Sequence, residues 1–276
     1  MSGIDLAPHH KTGLVLRNPV LTAAGCFGLG RAYHDLVDCA ALGAIVVGPV
    51  TARPNGGLAP PRAIRVPGGV LIRTGSANPG IHAVVREFAP VWQRLAVPTI
   101  VHVAGTRPSE VEFSCQRLAP VESVCGIELG LPSDATVDAV SDLVQSAARA
   151  AHQPLLVRLP LESAHLLYRT AIEAGAHALT VAAPPVGTVW DARTEGFFTG
   201  VLYGHLVLPL AQRALHRVAQ NASVPLVGCG GVHTSEDARA YLRAGAVAVQ
   251  VGSALWRDPA GLERIARDLD TSDPTP

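Results

Sequence analysis

The sequence predicts an α/β fold with the architecture of a (β/α)8 TIM barrel. Short apolar runs rich in Val, Ile, Leu and Ala recur along the chain, and longer amphipathic stretches separate them. The 276 residues, 48% of them hydrophobic and 16% charged, suffice for one barrel-sized core. No Ser/Gly-rich linker or low-complexity block divides the chain, so we expect a single domain over residues 1–276.

Eight apolar runs are the candidate barrel strands. Parallel strands that are buried on both faces read as continuous apolar segments, as PLLVRLP and AVAVQVG do here. In chain order the candidates are Pro19–Gly25, Gly43–Thr51, Pro98–Gly105, Gly126–Leu131, Pro154–Pro160, Ala178–Pro184, Pro225–Gly231 and Ala246–Gly252.

Capping residues and glycines mark the helices between these strands. Polar capping residues open the predicted helices Ser133–Ala151 and Thr234–Ala244. Gly175 and Gly245 each stand between a helical pattern and the predicted strand that follows directly. We therefore expect each glycine to end a helix in a conformation with positive φ. The longest irregular segment is Pro54–Asn78, which we expect to cover the barrel mouth.

Composition and charge make several classes of protein improbable. The formal net charge is zero and the pI is near 7.2, so the basic surface that binds nucleic acid is not expected. The segment Met1–Thr12 lacks the pattern of a secretory leader, and Gly, Pro or His interrupts the longest apolar runs well short of a membrane span. We therefore expect a cytoplasmic protein without a membrane segment.

The cysteines do not predict a disulfide framework or a metal site. All five stand without a Cys-x-x-Cys pair or a tight Cys/His cluster, so each is interpreted as a small buried hydrophobe. Lys11 is the only lysine in the chain, so no core lysine is available for a mechanism.

Glycines at the ends of the last two predicted strands indicate a phosphate site. Ligand phosphates in such barrels commonly bind at the loops after strands seven and eight. Here those strands end in the segments 228–231, read GCGG, and Gly252-Ser253, where backbone N–H groups can approach an anion without interference from a Cβ. The alternative is that these glycines serve only tight turns.

Several segments together resemble the class 1 branch of the dihydroorotate dehydrogenase family. They are LRNPVLTAAGCFGLGRAY, LGAIV, PNGGLAPPRAIRVPGGVL, NPG, VAG, IEL, GCGGV and QVGSALW, which occur in the family's order between about Leu16 and Pro259. The resemblance implies a barrel that holds FMN and an enzyme of pyrimidine biosynthesis that oxidises a CH–CH bond. By this resemblance the residues around FMN are Ala23, Ala24, Gly25, His102, Arg158, Gly204, Gly230, Gly231, Gly252 and Ser253.

The chain also departs from the family pattern at positions that carry its chemistry. The family's lysine after strand two is replaced by the sequence Val47-Gly48-Pro49. The loop with the catalytic base after strand four has no counterpart, because Gly130 and Leu131 lead directly to the next helix. Asparagines that bind the pyrimidine align with Ile72, Gly130 and Ala183, and another becomes His102. The sequence therefore identifies no catalytic residue.

Two charged residues within apolar strands invite alternative interpretations. Arg158 aligns with a second family lysine, so it either faces an anion in the barrel mouth or forms a salt bridge with Glu128. His102 could donate to the flavin, act as an acid or base, or be a satisfied core histidine. Glu128 could orient either residue or simply neutralise the interior.

The segment around Gly204 contains larger side chains than the family has there. Tyr203 and His205 flank this glycine, and either could fill space that substrate would otherwise use, or merely pack. Asp191 and Arg193 lie in a stretch to which we assign no chemistry.

Three functions remain open from the sequence. The first is an FMN oxidoreductase of the dihydroorotate dehydrogenase type with an altered substrate site. The second is a non-catalytic structural or regulatory paralogue in a complex, and the third is a flavin-free barrel, an isomerase or lyase, that binds a phosphate ligand. The resemblance also implies a homo-oligomer, a small-molecule substrate and an electron-transfer partner subunit.

Overall fold

Eight parallel strands close into a barrel in this computed structural model, which describes residues 3–33 and 35–270. The strands are β1 (Val20–Thr22), β2 (Ile45–Val50), β3 (Thr99–Ala104), β4 (Val124–Gly130), β5 (Leu155–Pro160), β6 (Ala178–Ala183), β7 (Leu226–Cys229) and β8 (Ala248–Val251). They pair in sequence order, and β8 pairs with β1. The predicted (β/α)8 barrel is confirmed. Seven predicted strands contain the observed ones, and the fourth, predicted as Gly126–Leu131, overlaps β4, which begins two residues earlier. The ends of the expected domain, residues 1–2 and 271–276, lie outside the described residues, as does His34.

A threonine side chain completes the barrel between β1 and β2. These strands share one isolated bridge, Leu21 with Ala44. One step further along, the Val46 N–H donates to the Thr22 hydroxyl over 2.8 Å, and that hydroxyl donates to the Val46 carbonyl over 3.3 Å. The hydroxyl therefore takes the place of backbone ladder bonds at this seam.

Six of the seven α-helices in the described part of the chain connect successive barrel strands, and the seventh follows β8. The helices are α1 (Ile81–Trp92), α2 (Pro108–Leu118), α3 (Val137–Ala150), α4 (Ala164–Glu173), α5 (Leu208–Ala219), α6 (Ser235–Arg243) and α7 (Pro259–Asp268). The turn Cys39–Ala41 stands in the first crossover, between β1 and β2. None of these helices has the length and apolar character needed to cross a membrane.

The helix caps confirm one predicted start and correct another. Thr234 caps α6 in a capping box with Asp237, as the sequence indicates. The helix predicted from Ser133 starts later, because residues 132–135 form a turn and the Thr136 hydroxyl accepts the Ala139 N–H at 3.3 Å. Gly175 and Gly245 follow α4 and α6 with φ of +115° and +107°, as expected.

The segment expected to be irregular contains two strands of a sheet at the barrel mouth. Ala63–Val66 and Gly69–Ile72 form a hairpin, and the hairpin Val186–Asp191 and Gly196–Tyr203 joins it. We call these four antiparallel strands the mouth sheet. The prediction of an irregular segment was wrong because it overlooked a tight-turn signal, the pair Pro67-Gly68. Gly68 has a φ of +78° in this turn, which joins the two strands of the first hairpin.

Strand alternation divides the barrel interior into an apolar layer and a polar layer. Ile100, Leu156, Ala178 and Ala248 pack together inside the barrel, with the N-terminal ladder of Ile4–Asp5 and Val15–Leu16 beside them. Side chains two residues further along a strand share its face. The next layer towards the carboxyl ends is polar and comprises His102, Arg158, Thr180 and Gln250, with Glu128 from β4.

Candidate active site

The carboxyl ends of the barrel strands open into a cleft of about 780 Å³. The mouth sheet also lines this cleft, so the insertion lies at the mouth as expected. Four of the residues predicted to bind a cofactor line it, namely Ala24, Gly25, His102 and Arg158. This is the end of the barrel at which such folds bind their ligands.

A second cavity, of about 20 Å³, adjoins the cleft at the ends of β7 and β8. Its lining includes the predicted residues Ala23, Ala24, Arg158, Gly204, Gly230, Gly231, Gly252 and Ser253. Arg158 and Tyr203 line both cavities and form part of the partition between them. All ten residues that the sequence places around a flavin therefore lie on two adjoining cavities.

Gly230 shows why a side chain is not tolerated at the end of β7. Its φ is +122°, and an added Cβ would lie 2.8 Å from the Ala211 Cβ on α5. The backbone at this position can therefore face an anion only if the residue is glycine. The helix α6, whose N-terminus follows at Ser235, adds a favourable dipole to the same region.

Glu128 is fully buried and accepts three hydrogen bonds. Its carboxylate receives His102 Nδ1 at 2.7 Å, Thr180 Oγ1 at 2.7 Å and Gln250 Nε2 at 2.5 Å. Arg158 Nη1 lies 3.9 Å from the same carboxylate. Both interpretations of Glu128 hold, since it orients His102 and also balances the charge of Arg158.

Arg158 is buried with part of its hydrogen-bonding capacity unused. Its Nη2 donates to Cys229 Sγ at 3.3 Å, and its buried Nε has no partner among the described residues. A buried guanidinium N–H without a partner is costly, so it marks a place where a ligand acceptor fits. Arg158 therefore forms the ion pair with Glu128 and also lines both cavities.

The site holds a buried ion pair between Arg158 and Glu128. Burial raises the pKa of Glu128, but the hydrogen bond and charge of His102 and the charge of Arg158 outweigh it, and the pKa falls to about 2. Burial lowers the pKa of Arg158, while Cys229 and Glu128 raise it by more. Since burial also raises the pKa of the Cys229 thiol, Glu128 is the anion that faces Arg158. Burial, together with the nearby Cys26, raises the pKa of Tyr203 to about 12.

The cysteines divide between buried and accessible positions. Cys26, Cys115 and Cys229 are buried, as the sequence interpretation expects, whereas Cys39 is partly exposed and Cys125 is exposed. Burial raises the pKa of Cys26 to about 12, so this thiol beside the smaller cavity is not a nucleophile. Within the described ranges, no three His, Cys, Asp or Glu side chains form a group that could hold a metal ion.

Tyr203 and His205, which flank Gly204, point in different directions. Tyr203 packs against Trp256 with ring centroids 5.1 Å apart, and both residues line the cleft. His205 instead turns outward and contacts Asp237 Oδ1 at 3.2 Å, so the expectation that it could fill substrate space was wrong. Asp191 and Arg193 pair with each other at 3.0 Å.

Several site residues were missed from the sequence. Thr180 and Gln250 are polar residues in apolar strands, and each stands two positions after an alanine of the apolar layer. Because residues two apart share a strand face, this spacing could have predicted that both side chains point into the barrel. Arg62 and Arg73 line the cleft from the mouth sheet and its approach. Arg73 lies over the Phe198 ring at 4.3 Å, a contact that depends on the unpredicted sheet.

The closed parallel barrel has a glycine-lined cavity at the ends of β7 and β8 and a buried arginine at its mouth, and these features define the class as a (β/α)8 barrel with a ligand cleft at the carboxyl ends of its strands. A family model described as dihydroorotate dehydrogenase matches residues 9–272. This chain belongs to the dihydroorotate dehydrogenase family. It is accordingly a dihydroorotate dehydrogenase-like flavin oxidoreductase, and FMN, which the resemblance implied, is the cofactor of the family.

Individual relatives agree with this assignment. The chain is 33% identical over 274 residues to the dihydroorotate dehydrogenase B (NAD(+)) catalytic subunit of Pelobacter propionicus, covering 94% of this chain and 90% of that protein. The corresponding subunit of Geobacillus kaustophilus is 34% identical over 273 residues, with 93% and 87% covered. A crystal structure of the Eimeria tenella enzyme in complex with ferulenol shares the fold, with a TM-score of 0.76, 20% identity, and 96% and 83% covered.

Proposed function

We propose that this chain is an FMN oxidoreductase whose substrate site has changed from that of its relatives, so that it oxidises a CH–CH bond in a small anion other than dihydroorotate. One observation carries the proposal. Ile72, Gly130 and Ala183, which align with the family's pyrimidine-binding asparagines, all line the cleft. None of the three has a side chain that forms hydrogen bonds.

The lost hydrogen bonds are large enough to change specificity. A hydrogen bond to a charged ligand contributes about 1.5–3 kcal/mol, and about 1.4 kcal/mol is a tenfold change in affinity. Three missing bonds therefore correspond to at least about three orders of magnitude in the binding of dihydroorotate.

Positive charge in the cleft supports an anionic substrate. Three arginines line it, namely Arg62, Arg73 and Arg158. Among the residues that the structure describes, its lining contains one carboxylate, that of the solvent-exposed Glu162. Guanidinium groups bind carboxylates and phosphates through paired N–H donors. Arg73 has donors available for this role, because within the described ranges its hydrogen bond is the 3.1 Å one from Nε to the Pro61 carbonyl.

The residues of the smaller cavity have the chemistry that FMN requires. Backbone N–H groups at Gly230, Gly231 and Gly252 and the Ser253 hydroxyl would hold its phosphate. The unpartnered Arg158 Nε would donate to a flavin acceptor. When bound, FMN accepts the two electrons of the substrate oxidation as a hydride. A cavity of about 20 Å³ admits little more than one water molecule, so Tyr203 has to move aside for the cofactor.

A partner subunit and self-association belong to the same proposal. The relatives named above are catalytic subunits, a name that implies other subunits in those enzymes. We infer that this chain acts in the cytoplasm, as a homo-oligomer, and passes electrons to a separate partner protein.

Spectroscopy on the purified chain tests the proposed function. Absorbance is recorded without added flavin and during titration with FMN. The loaded protein is then mixed anaerobically with dihydroorotate or succinate, which are anions, or with the uncharged dihydrouracil. We expect FMN to bind and dihydroorotate to reduce it poorly, while Ile72→Asn/Ala183→Asn improves reduction by dihydroorotate. Efficient reduction of the unaltered protein by dihydroorotate would contradict the altered site. Bound flavin that no anionic donor reduces supports the non-catalytic alternative, and failure to bind FMN supports the flavin-free barrel.

A further inference from the structure

Oxidation of a CH–CH bond needs a group that takes a proton, and the family's base loop has no counterpart here. β4 ends at Gly130, and only a short turn precedes the Thr136 cap of α3. We propose that His102, positioned by Glu128, is the proton acceptor in this cleft. The inference rests on the proposed oxidoreductase function and names a catalytic residue for it.

The hydrogen bond to Glu128 determines which nitrogen of His102 faces the substrate. Glu128 is ionised, so it can only accept, and the neutral imidazole must donate from Nδ1 across the 2.7 Å contact. Nε2 then carries the lone pair. His102 lines the cleft while remaining 8% exposed, so its free nitrogen meets the ligand space and little bulk water.

The position of Nε2 coincides with the end of β4. A Cβ added at Gly130 would lie 2.5 Å from His102 Nε2, so the ring lies directly against this glycine. Gly130 is the residue after which the family's base loop departs. The imidazole therefore presents a base close to the place from which the relatives present theirs.

Charged groups on the neighbouring strands surround His102. Glu128 contacts the ring, and Arg158 on β5 lies behind that carboxylate at 3.9 Å. As Nε2 takes a proton, the imidazolium gains a buried carboxylate as its counter-ion. The cleft lining also includes the charged side chains of Arg62, Arg73 and Glu162.

The other titratable groups of the cleft are less suited to this role. His102 is the one histidine in its lining among the residues that the structure describes. Tyr203 keeps its proton at neutral pH, since its pKa is raised to about 12. Glu162 is exposed to solvent, and no hydrogen bond within the described ranges orients it.

The proposed step conserves atoms and electrons. A C–H bond of the substrate breaks, its proton forms an N–H bond with His102 Nε2, and its electron pair becomes the second bond of the product C=C. The hydrogen on the neighbouring carbon leaves with two electrons as a hydride, for which FMN is the oxidant. The proton on His102 then passes to water after product leaves, which restores the neutral ring.

Three variants test the role in the flavin-loaded protein. His102→Gln should lower the rate of flavin reduction by about 10²–10⁴-fold, the usual contribution of a general base. His102→Ala should recover part of that rate when free imidazole is added. His216→Gln is the matched control, because this histidine is exposed on α5 outside the lining of the cleft, and its rate should equal that of the parent.

Two measurements on the flavin-free protein separate this inference from the proposed function. In ¹⁵N-histidine NMR, neutral His102 should carry its proton on Nδ1, and Glu128→Gln should weaken that preference. Iodoacetate, a small anion, should alkylate His102 Nε2, which peptide mass spectrometry locates. A proton on Nε2, absence of alkylation, or undiminished flavin reduction in His102→Gln would overturn the inference. The first two results would do so even if no substrate is found.

Discussion

Replacing Glu128 with Gln removes the buried carboxylate that His102, Thr180, Gln250 and Arg158 share. The change leaves the charge of Arg158 uncompensated inside the barrel, and breaking a buried pair in this way costs about 3–5 kcal/mol. The pKa of Glu128 supplies a second measure. It falls from 4.5 to about 2 on folding, and each pKa unit corresponds to about 1.4 kcal/mol, which gives about 3 kcal/mol. The two routes agree on a loss of about 3 kcal/mol in the free energy of unfolding.

The same pKa predicts how this stabilisation depends on pH. Because the pKa is lower in the folded protein, the contribution of Glu128 is complete above pH 4.5 and is lost as the pH falls towards 2. At pH 4 the unfolded chain already binds part of the proton, and about 1 kcal/mol of the contribution is gone. Glu128→Gln has no such titration, so the stability difference between parent and variant should shrink by about 1 kcal/mol between pH 7 and pH 4.

Urea unfolding at these two pH values measures the effect, with Glu122→Gln as the control. Glu122 is exposed, and its substitution should change the free energy of unfolding by less than about 0.5 kcal/mol. Equal urea midpoints for Glu128→Gln and the parent at pH 7 would refute the assignment of Glu128 as a paired, ionised group. A difference that stays constant down to pH 4 would refute the linkage.

Three further substitutions test the site. Gly130→Ala should displace the His102 ring and slow flavin reduction by about tenfold or more in stopped-flow absorbance, since an added Cβ would lie 2.5 Å from Nε2. Gly230→Ala should weaken FMN binding by about tenfold or more in fluorescence titration, whereas Gly56→Ala, where an added Cβ meets nothing within 4 Å, should not change it. Tyr203→Ser should tighten FMN binding, by about tenfold if moving the ring costs about 1.4 kcal/mol, and unchanged affinity would show that Tyr203 does not restrict the cavity.

The barrel was predictable because its strands are buried on both faces and its connections carry strong local signals. Ala248–Val251 and Leu155–Pro160 read as apolar runs whichever strands they pair with. The mouth sheet was not predicted, since its strands come from two insertions that are distant in sequence. The pairing of Gly69–Ile72 with Gly196–Tyr203 is a long-range contact that neither segment signals alone.

The position of the glycine-lined cavity was predictable from glycines at known strand ends, but the polar layer was only partly so. Arg158 and His102 are conspicuous because they are polar or charged within apolar strands. The sequence identified Glu128 as a candidate partner of either residue, but not that it contacts both, because the side-chain directions are fixed only by the closed barrel. The short contacts from Thr180 and Gln250 to Glu128 depend on that closure too.

Two residues at the mouth depend on each other for their space. Gly130 and His102 face each other on adjacent strands, and the absence of a side chain at the first makes room for the ring at the second. A larger residue at position 130 would push the ring away from Glu128, so the glycine and the histidine depend on each other. Glycine at position 130 therefore has a structural consequence, because it leaves the space in which Glu128 holds an imidazole at the cleft. Random decay of a binding site would not be expected to leave a buried, fully hydrogen-bonded carboxylate beside a histidine with one nitrogen facing the ligand space.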